Sequence, residues 1–197
     1  MVDDVETRAD GPMTAAQRIP GDPWIWALFA ADMLMFSVFF VSFAVDRRKQ
    51  EIVFAESQNA LYQSVGLLNT LLLLLSSLLV VVGLQSMRTG ERRARSAFYG
   101  ALACGAAFAV AKVVEWSLLI DAGYRAANQF FVYYFSLTGL HFVHVCAGLL
   151  ILAILAVGAG RPASAEGTTK LVESGCGYWH LVDLLWLIMF SLLYLVN

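Results

Sequence analysis

Seven ionisable side chains stand inside long apolar runs: Asp32, Lys112, Glu115, His141, His144, His180 and Asp183. A charged group in hydrocarbon is costly, so each of them needs a partner or a purpose. Lys112 and Glu115 are three residues apart on one helical face and can neutralise each other. That spacing suits a structural ion pair turned into a bundle, a proton or ion relay, or a lysine that snorkels to the surface. Asp32 has no basic residue within a turn. It is either held as a neutral acid, hydrogen-bonded to another helix, or paired with His180 or a lipid headgroup. His141 and His144, at i and i+3, share a face and raise the question of haem or metal ligation, with His180 as the third imidazole.

The elements that carry these groups follow from composition. The 197 residues are 59% hydrophobic and only 14% charged, with a mean hydropathy of +0.69. A water-soluble domain has about a quarter of its residues charged, so this chain lacks the polar surface to be one. The expectation is an all-α integral membrane bundle. A bilayer core of about 30 Å takes roughly 20 apolar residues of helix, and five stretches qualify: 24–45, 62–87, 97–120, 131–158 and 178–196. They do not alternate as barrel strands would. The connections 46–61, 88–96, 121–130 and 159–177 are short and polar. Residues 1–23 read as a polar tail without the cationic start and apolar run of a secretory signal.

Basic residues in the connections set the orientation. Arg8, Arg18, Arg88, Arg92, Arg93, Arg95, Arg161 and Lys170 fall on one side, against Arg47, Arg48, Lys49 and Arg125 on the other. This places the N-terminus inside and the C-terminus outside. A net charge of −2 with basic residues confined to loops gives no nucleic-acid signal. Cys104, Cys146 and Cys176 have no C-x-x-C spacing, so neither a disulfide framework nor a thiolate site is suggested.

Counting about 1.5 Å per residue sorts the polar groups by depth. Asp32, His180 and Asp183 fall in an inner layer; Lys112, Glu115, His141 and His144 fall in an outer one. His180 then lies too far from His141 for a shared metal, and no histidine sits at the matching depth for a bis-imidazole haem. Helix-to-helix hydrogen bonding is the expected role of His141 and His144. Asn69, Thr70, Ser76, Ser77, Thr138 and Gly139 suit close helix approach, and Trp24, Trp26, Tyr178 and Trp179 suit an interfacial aromatic belt.

The motifs resemble a known family. Residues 178–186, Tyr-Trp-His-Leu-Val-Asp-Leu-Leu-Trp, resemble the last helix of haem–copper oxidase subunit III. Residues 138–145, Thr-Gly-Leu-His-Phe-Val-His-Val, with Gly148 resemble that family's T-G-x-H-x-x-H-V-x-x-G helix. Leu68-Asn69-Thr70 with Ser76-Ser77, Asp32 before Met33–Phe36 and Phe39-Phe40, and Glu115-Trp116 fit in order. The resemblance runs from about Trp24 to the last residue. It departs at Asp32, where the family carries Glu, and at Lys112, where oxidase members commonly carry Gln. Those departures resemble the NorE-like branch associated with nitric oxide reductase.

The resemblance implies a supporting subunit of a respiratory complex in the bacterial cytoplasmic membrane. Haem and copper would sit on partner subunits I and II, with none on this chain. The subunit would bind phospholipid and help sustain proton uptake in aerobic electron transport. The alternatives are an accessory subunit of nitric oxide reductase, a standalone membrane cytochrome using His141 or His144, and a small proton-coupled transporter using Asp32, Lys112 and Glu115.

Overall fold

The computed structural model describes residues 23–89, 93–159 and 166–195. Residues 1–22, including Arg8 and Arg18, lie outside it, as do Arg92, Arg161 and the side chains of Trp24 and Lys170. All regular structure among the described residues is helical: α1 (Pro23–Lys49), α2 (Glu51–Asn59), α3 (Gln63–Thr89), α4 (Arg93–Asp121), a 3-10 turn (Tyr124–Ala126), α5 (Gln129–Gly158) and α6 (Glu166–Phe190). The chain continues from α6 into one π-helical stretch, Ser191–Leu195. Five of these helices, α1, α3, α4, α5 and α6, are long and apolar enough to cross a bilayer.

Two boundaries differ from the sequence reading. Residues 46–61 are not an irregular connection; they hold the nine-residue helix α2, whose Phe54 is fully buried. Helix α6 starts at Glu166, twelve residues before the expected position 178. Glu173, Ser174, Gly175 and Gly177 interrupt the apolar run there, yet Gly175 serves packing. A Cβ on it would lie 2.7 Å from Ile151 of α5.

Helices α3 to α6 form an antiparallel four-helix core. In lipid no hydrophobic force draws helices together, so small residues that permit close approach carry the packing. Gly83 of α3 lies against the Phe98 ring and Gly100 of α4 against Leu79. Ser76 donates to the Ala101 carbonyl at 2.8 Å between the same two helices. Gly105 of α4 and Gly148 of α5 make the cradle for the Trp179 indole of α6. Tyr178 and Trp179 are therefore core residues, 7% and 1% exposed, and not members of an interfacial belt. Trp26, at 47%, is the exposed one.

Helix α1 is peripheral. Its buried side, Asp32, Phe36 and Phe43, repeats every three to four or seven residues and docks on α5 and α2. Phe36 meets the His144 ring edge-on at 5.5 Å, and Phe43 meets Phe54 and Tyr133 at 5.3 and 5.7 Å. Tyr133 also donates to Asp46 at 2.7 Å. Asn128 caps α5, accepting from Phe131 N–H at 3.3 Å, and donates to Ser57 of α2 at 2.7 Å.

Candidate functional site

Among the described residues, ionisable side chains make bonded groups at three places inside the bundle, and the largest is closed by residues from three helices. Lys112 and Glu115 face each other on α4 with Nζ 2.9 Å from Oε2, and both are 1% exposed. The ammonium has three donors. The other two go to Tyr134 Oη of α5 at 3.1 Å and Tyr194 Oη at 2.9 Å. Tyr194 in turn donates to Glu115 Oε1 at 2.6 Å. The Lys112 charge also lies 4.9 Å from the centres of the Tyr134 and Trp186 rings, a favourable placement over their π faces. Every donor of the ammonium is used, and each carboxylate oxygen accepts a bond. A buried ion pair is tolerable only when its remaining hydrogen-bonding capacity is met this way.

Tyr194 reaches this position because the chain leaves α6 as a π turn, which changes how its last carbonyls are paired. Side chains of α2 and α3 take those carbonyls. Gln58 of α2 donates to Leu192 and Leu193 oxygens at 3.3 and 3.2 Å, and Gln63 of α3 donates to the Tyr194 oxygen at 3.2 Å. The short helix α2 is thereby tied to the buried charge pair.

The second group joins α1 to α5. His144 Nε2 lies 3.4 Å from Asp32 Oδ1, and its Nδ1 is 2.9 Å from the Leu140 carbonyl. A carbonyl only accepts, so Nδ1 carries a hydrogen. Nε2 is the ring atom that faces the carboxyl of α1. This corrects the depth assignment, which placed Asp32 and His144 in different layers and offered His180 as the acid's partner. The helices are 27 and 30 residues long, more than the roughly 20 a bilayer requires, so counting from one end misplaces a residue by turns.

The third group joins α3 to α6. Ser77 Oγ and His180 Nδ1 are 2.6 Å apart, and Ser77 also lies alongside Asp183. The early start of α6 moves both residues inward. Asp183 lies 17 residues from Glu166, or about 26 Å along the helix axis, and not near its end. Asp183 is 6% exposed and its Oδ1 has no partner among the described residues.

His141 contradicts the expectation of a helix-to-helix hydrogen bond. Three residues of helix turn the side chain by about 60° relative to His144, enough to aim it into a different groove. It meets Phe108 of α4 at 6.1 Å and Trp186 of α6 at 5.6 Å, and neither ring nitrogen has a partner. The three imidazoles thus have separate surroundings. Among the described residues no three His, Cys, Asp or Glu side chains gather as a metal would require.

The sequence reading does not single out Tyr134, Tyr194 or Gln58, and it gives Ser77 a packing role only. For the two tyrosines a signal existed: a phenol deep in an apolar run needs a partner for its hydroxyl. Away from these groups, α1, α5 and α6 enclose an apolar groove of about 380 Å³ lined by Ile25, Leu28, Ala147, Ile151, Leu171 and Tyr178.

Comparison with known proteins identifies the arrangement. The family model for cytochrome c oxidase subunit III matches residues 27–197. The chain belongs to the cytochrome c oxidase subunit III family. It is 27% identical over 176 residues to the cytochrome bo(3) ubiquinol oxidase subunit 3 of Pseudomonas aeruginosa, covering 87% of this chain and 83% of that one. Cytochrome c oxidase subunit 3 of Thermostichus vulcanus is 32% identical over 136 residues, 68% of this chain and 66% of that one. The heme-copper oxidase subunit I+III of Aeropyrum pernix is 30% identical over 137 residues, 68% of this chain and 17% of that protein. This subunit III-like chain is accordingly a multi-pass membrane subunit of a haem–copper oxidase, and family membership implies association with other oxidase subunits.

Proposed function

We propose that the chain is a supporting subunit that packs against the catalytic subunit of its oxidase, holds phospholipid, and contributes no redox centre of its own. The observation that carries this reading is the separation of the imidazoles. His144 is committed to Asp32 and Leu140, His180 to Ser77, and His141 to an aromatic slot between Phe108 and Trp186. Haem and copper would then reside on subunits I and II. The relative named subunit I+III, in which both parts share one polypeptide, supports direct packing on subunit I.

The groove between α1, α5 and α6 has the apolar lining that an acyl chain of a phospholipid requires. Asp32 and His144 meet at 3.4 Å between the same two of its helices, α1 and α5. They are the residues through which the subunit would assist proton uptake. With the N-terminus inside, as the loop charges favour, this groove lies toward the cytoplasmic ends of its helices. The Lys112 group has no such outlet, and its role in this reading is to hold α4, α5 and α6 together.

The test is gentle co-purification. The tagged chain, extracted in mild detergent, should bring with it a haem–copper oxidase subunit I. Recovery of a nitric oxide reductase catalytic subunit would move the chain to the branch that Asp32 and Lys112 resemble. Recovery of neither would reject the supporting role.

A further inference from the structure

The four-helix core contains buried polar atoms that have no hydrogen-bond partner among the described residues. Asn69 is fully buried, and both its amide nitrogen and its amide oxygen lack partners. His141 is 1% exposed, and both its ring nitrogens lack partners. Asp183 Oδ1 and Trp179 Nε1 are further such atoms. Buried polar groups in folded proteins are almost always hydrogen-bonded, to protein or to ordered water.

The helices that carry these residues meet around Trp186 and Phe108. Trp186 packs on the His141 ring at 5.6 Å, and its indole N–H is bonded to Thr70 at 3.1 Å. Thr70 directly follows Asn69. Phe108 completes the layer, edge-on to Trp186 at 4.9 Å and to His141 at 6.1 Å. Asn69 precedes Ser76 by two helical turns and so shares the face by which Ser76 reaches Ala101 of α4. Asp183 stands one turn from Trp186 on α6.

We propose that this layer is a hydration site: ordered water bonded to Asn69 and His141 inside the bundle, with Asp183 at its edge. The chemistry of the atoms suits water. A neutral imidazole presents one donor and one acceptor, and the amide presents two donors and one acceptor. Only a ligand that both donates and accepts can serve all of them. The two ring nitrogens point to different edges of the imidazole, so the site takes at least two waters. This concerns the interior of the chain and stands independently of lipid binding and of which catalytic subunit is the partner.

X-ray hydroxyl-radical footprinting of the full chain in its purified complex tests the proposal, because radicals formed in bound water label the residues around it. Phe108 and Phe98 make the comparison. Both are fully buried, but Phe98 packs on Gly83 of α3 and Phe108 on His141. Phe108 should be labelled several-fold faster than Phe98, and its label should take up 18O after equilibration in H2 18O. The double variant N69L/H141F should reduce Phe108 to the Phe98 rate, while H141Q, which keeps polar atoms in the slot, should not. Equal labelling of the two phenylalanines in the wild-type complex would overturn the proposal, and that comparison stands whether or not the double variant folds.

Discussion

Tyr194 donates to Glu115 across 2.6 Å while accepting from the Lys112 ammonium at 2.9 Å, so a residue at the end of the sixth helix closes the charge pair of the fourth. Removing one member of a buried pair strands the other. Lys112→Met should therefore cost about 3–5 kcal/mol, whereas Lys112→Met combined with Glu115→Leu should recover most of that loss. Tyr194→Phe should cost about 1–3 kcal/mol, because it leaves Glu115 Oε1 without a donor. Thermal unfolding of the purified subunit in nanodiscs measures all three. A double variant no better than Lys112→Met would contradict the closed-group account.

The clamp on the π turn makes a separate prediction. Gln58→Leu removes the donor to the Leu192 and Leu193 carbonyls. It should cost about 1–2 kcal/mol and raise amide hydrogen exchange over residues 191–195. Unchanged exchange there would mean that α2 does not hold Tyr194 in place.

Packing at Trp179 can be probed through one methyl group. A Cβ at Gly148 would stand 2.6 Å from the Trp179 ring, while a Cβ at Gly139 would meet no atom within 4 Å. Gly148→Ala should destabilise by about 1–3 kcal/mol through overpacking, and Gly139→Ala on the same helix should be close to neutral. Equal melting temperatures for the two variants would show that the indole is not held as described.

The proposed role of the Asp32–His144 contact, 3.4 Å long, makes a prediction about turnover. Asp32→Ala should leave haem content of the assembled oxidase unchanged but shorten its active lifetime or lower the phospholipid retained after purification. Loss of the haem spectrum in this variant would place Asp32 in the assembly of the redox centre and oppose the supporting role.

Much of the fold is legible because hydrocarbon imposes a simple rule on sequence: about twenty apolar residues per crossing. The start of α6 is hidden in the sequence because Glu173 and the glycines beside it look like a loop, although Gly175 packs on Ile151 of α5 and Gly177 faces Phe29 of α1. Glu173 pairs with Arg88 at 2.7 Å. The Lys112–Glu115 pair is visible from its i, i+3 spacing. Tyr134 and Tyr194 are not, because they arrive 22 and 82 residues later in the chain. Depth counting failed for Asp32 and His144 for a related reason: helices longer than the bilayer have no fixed zero from which to count.

The central claim is that electrons move elsewhere, in the polypeptides around this one. It is tested most directly by releasing the chain from its purified complex and measuring its iron and copper together with its visible spectrum. The account predicts a colourless subunit III-like chain without stoichiometric metal, with the haem absorbance remaining on the catalytic subunit. A Soret band, or one iron or copper per isolated chain, would contradict it.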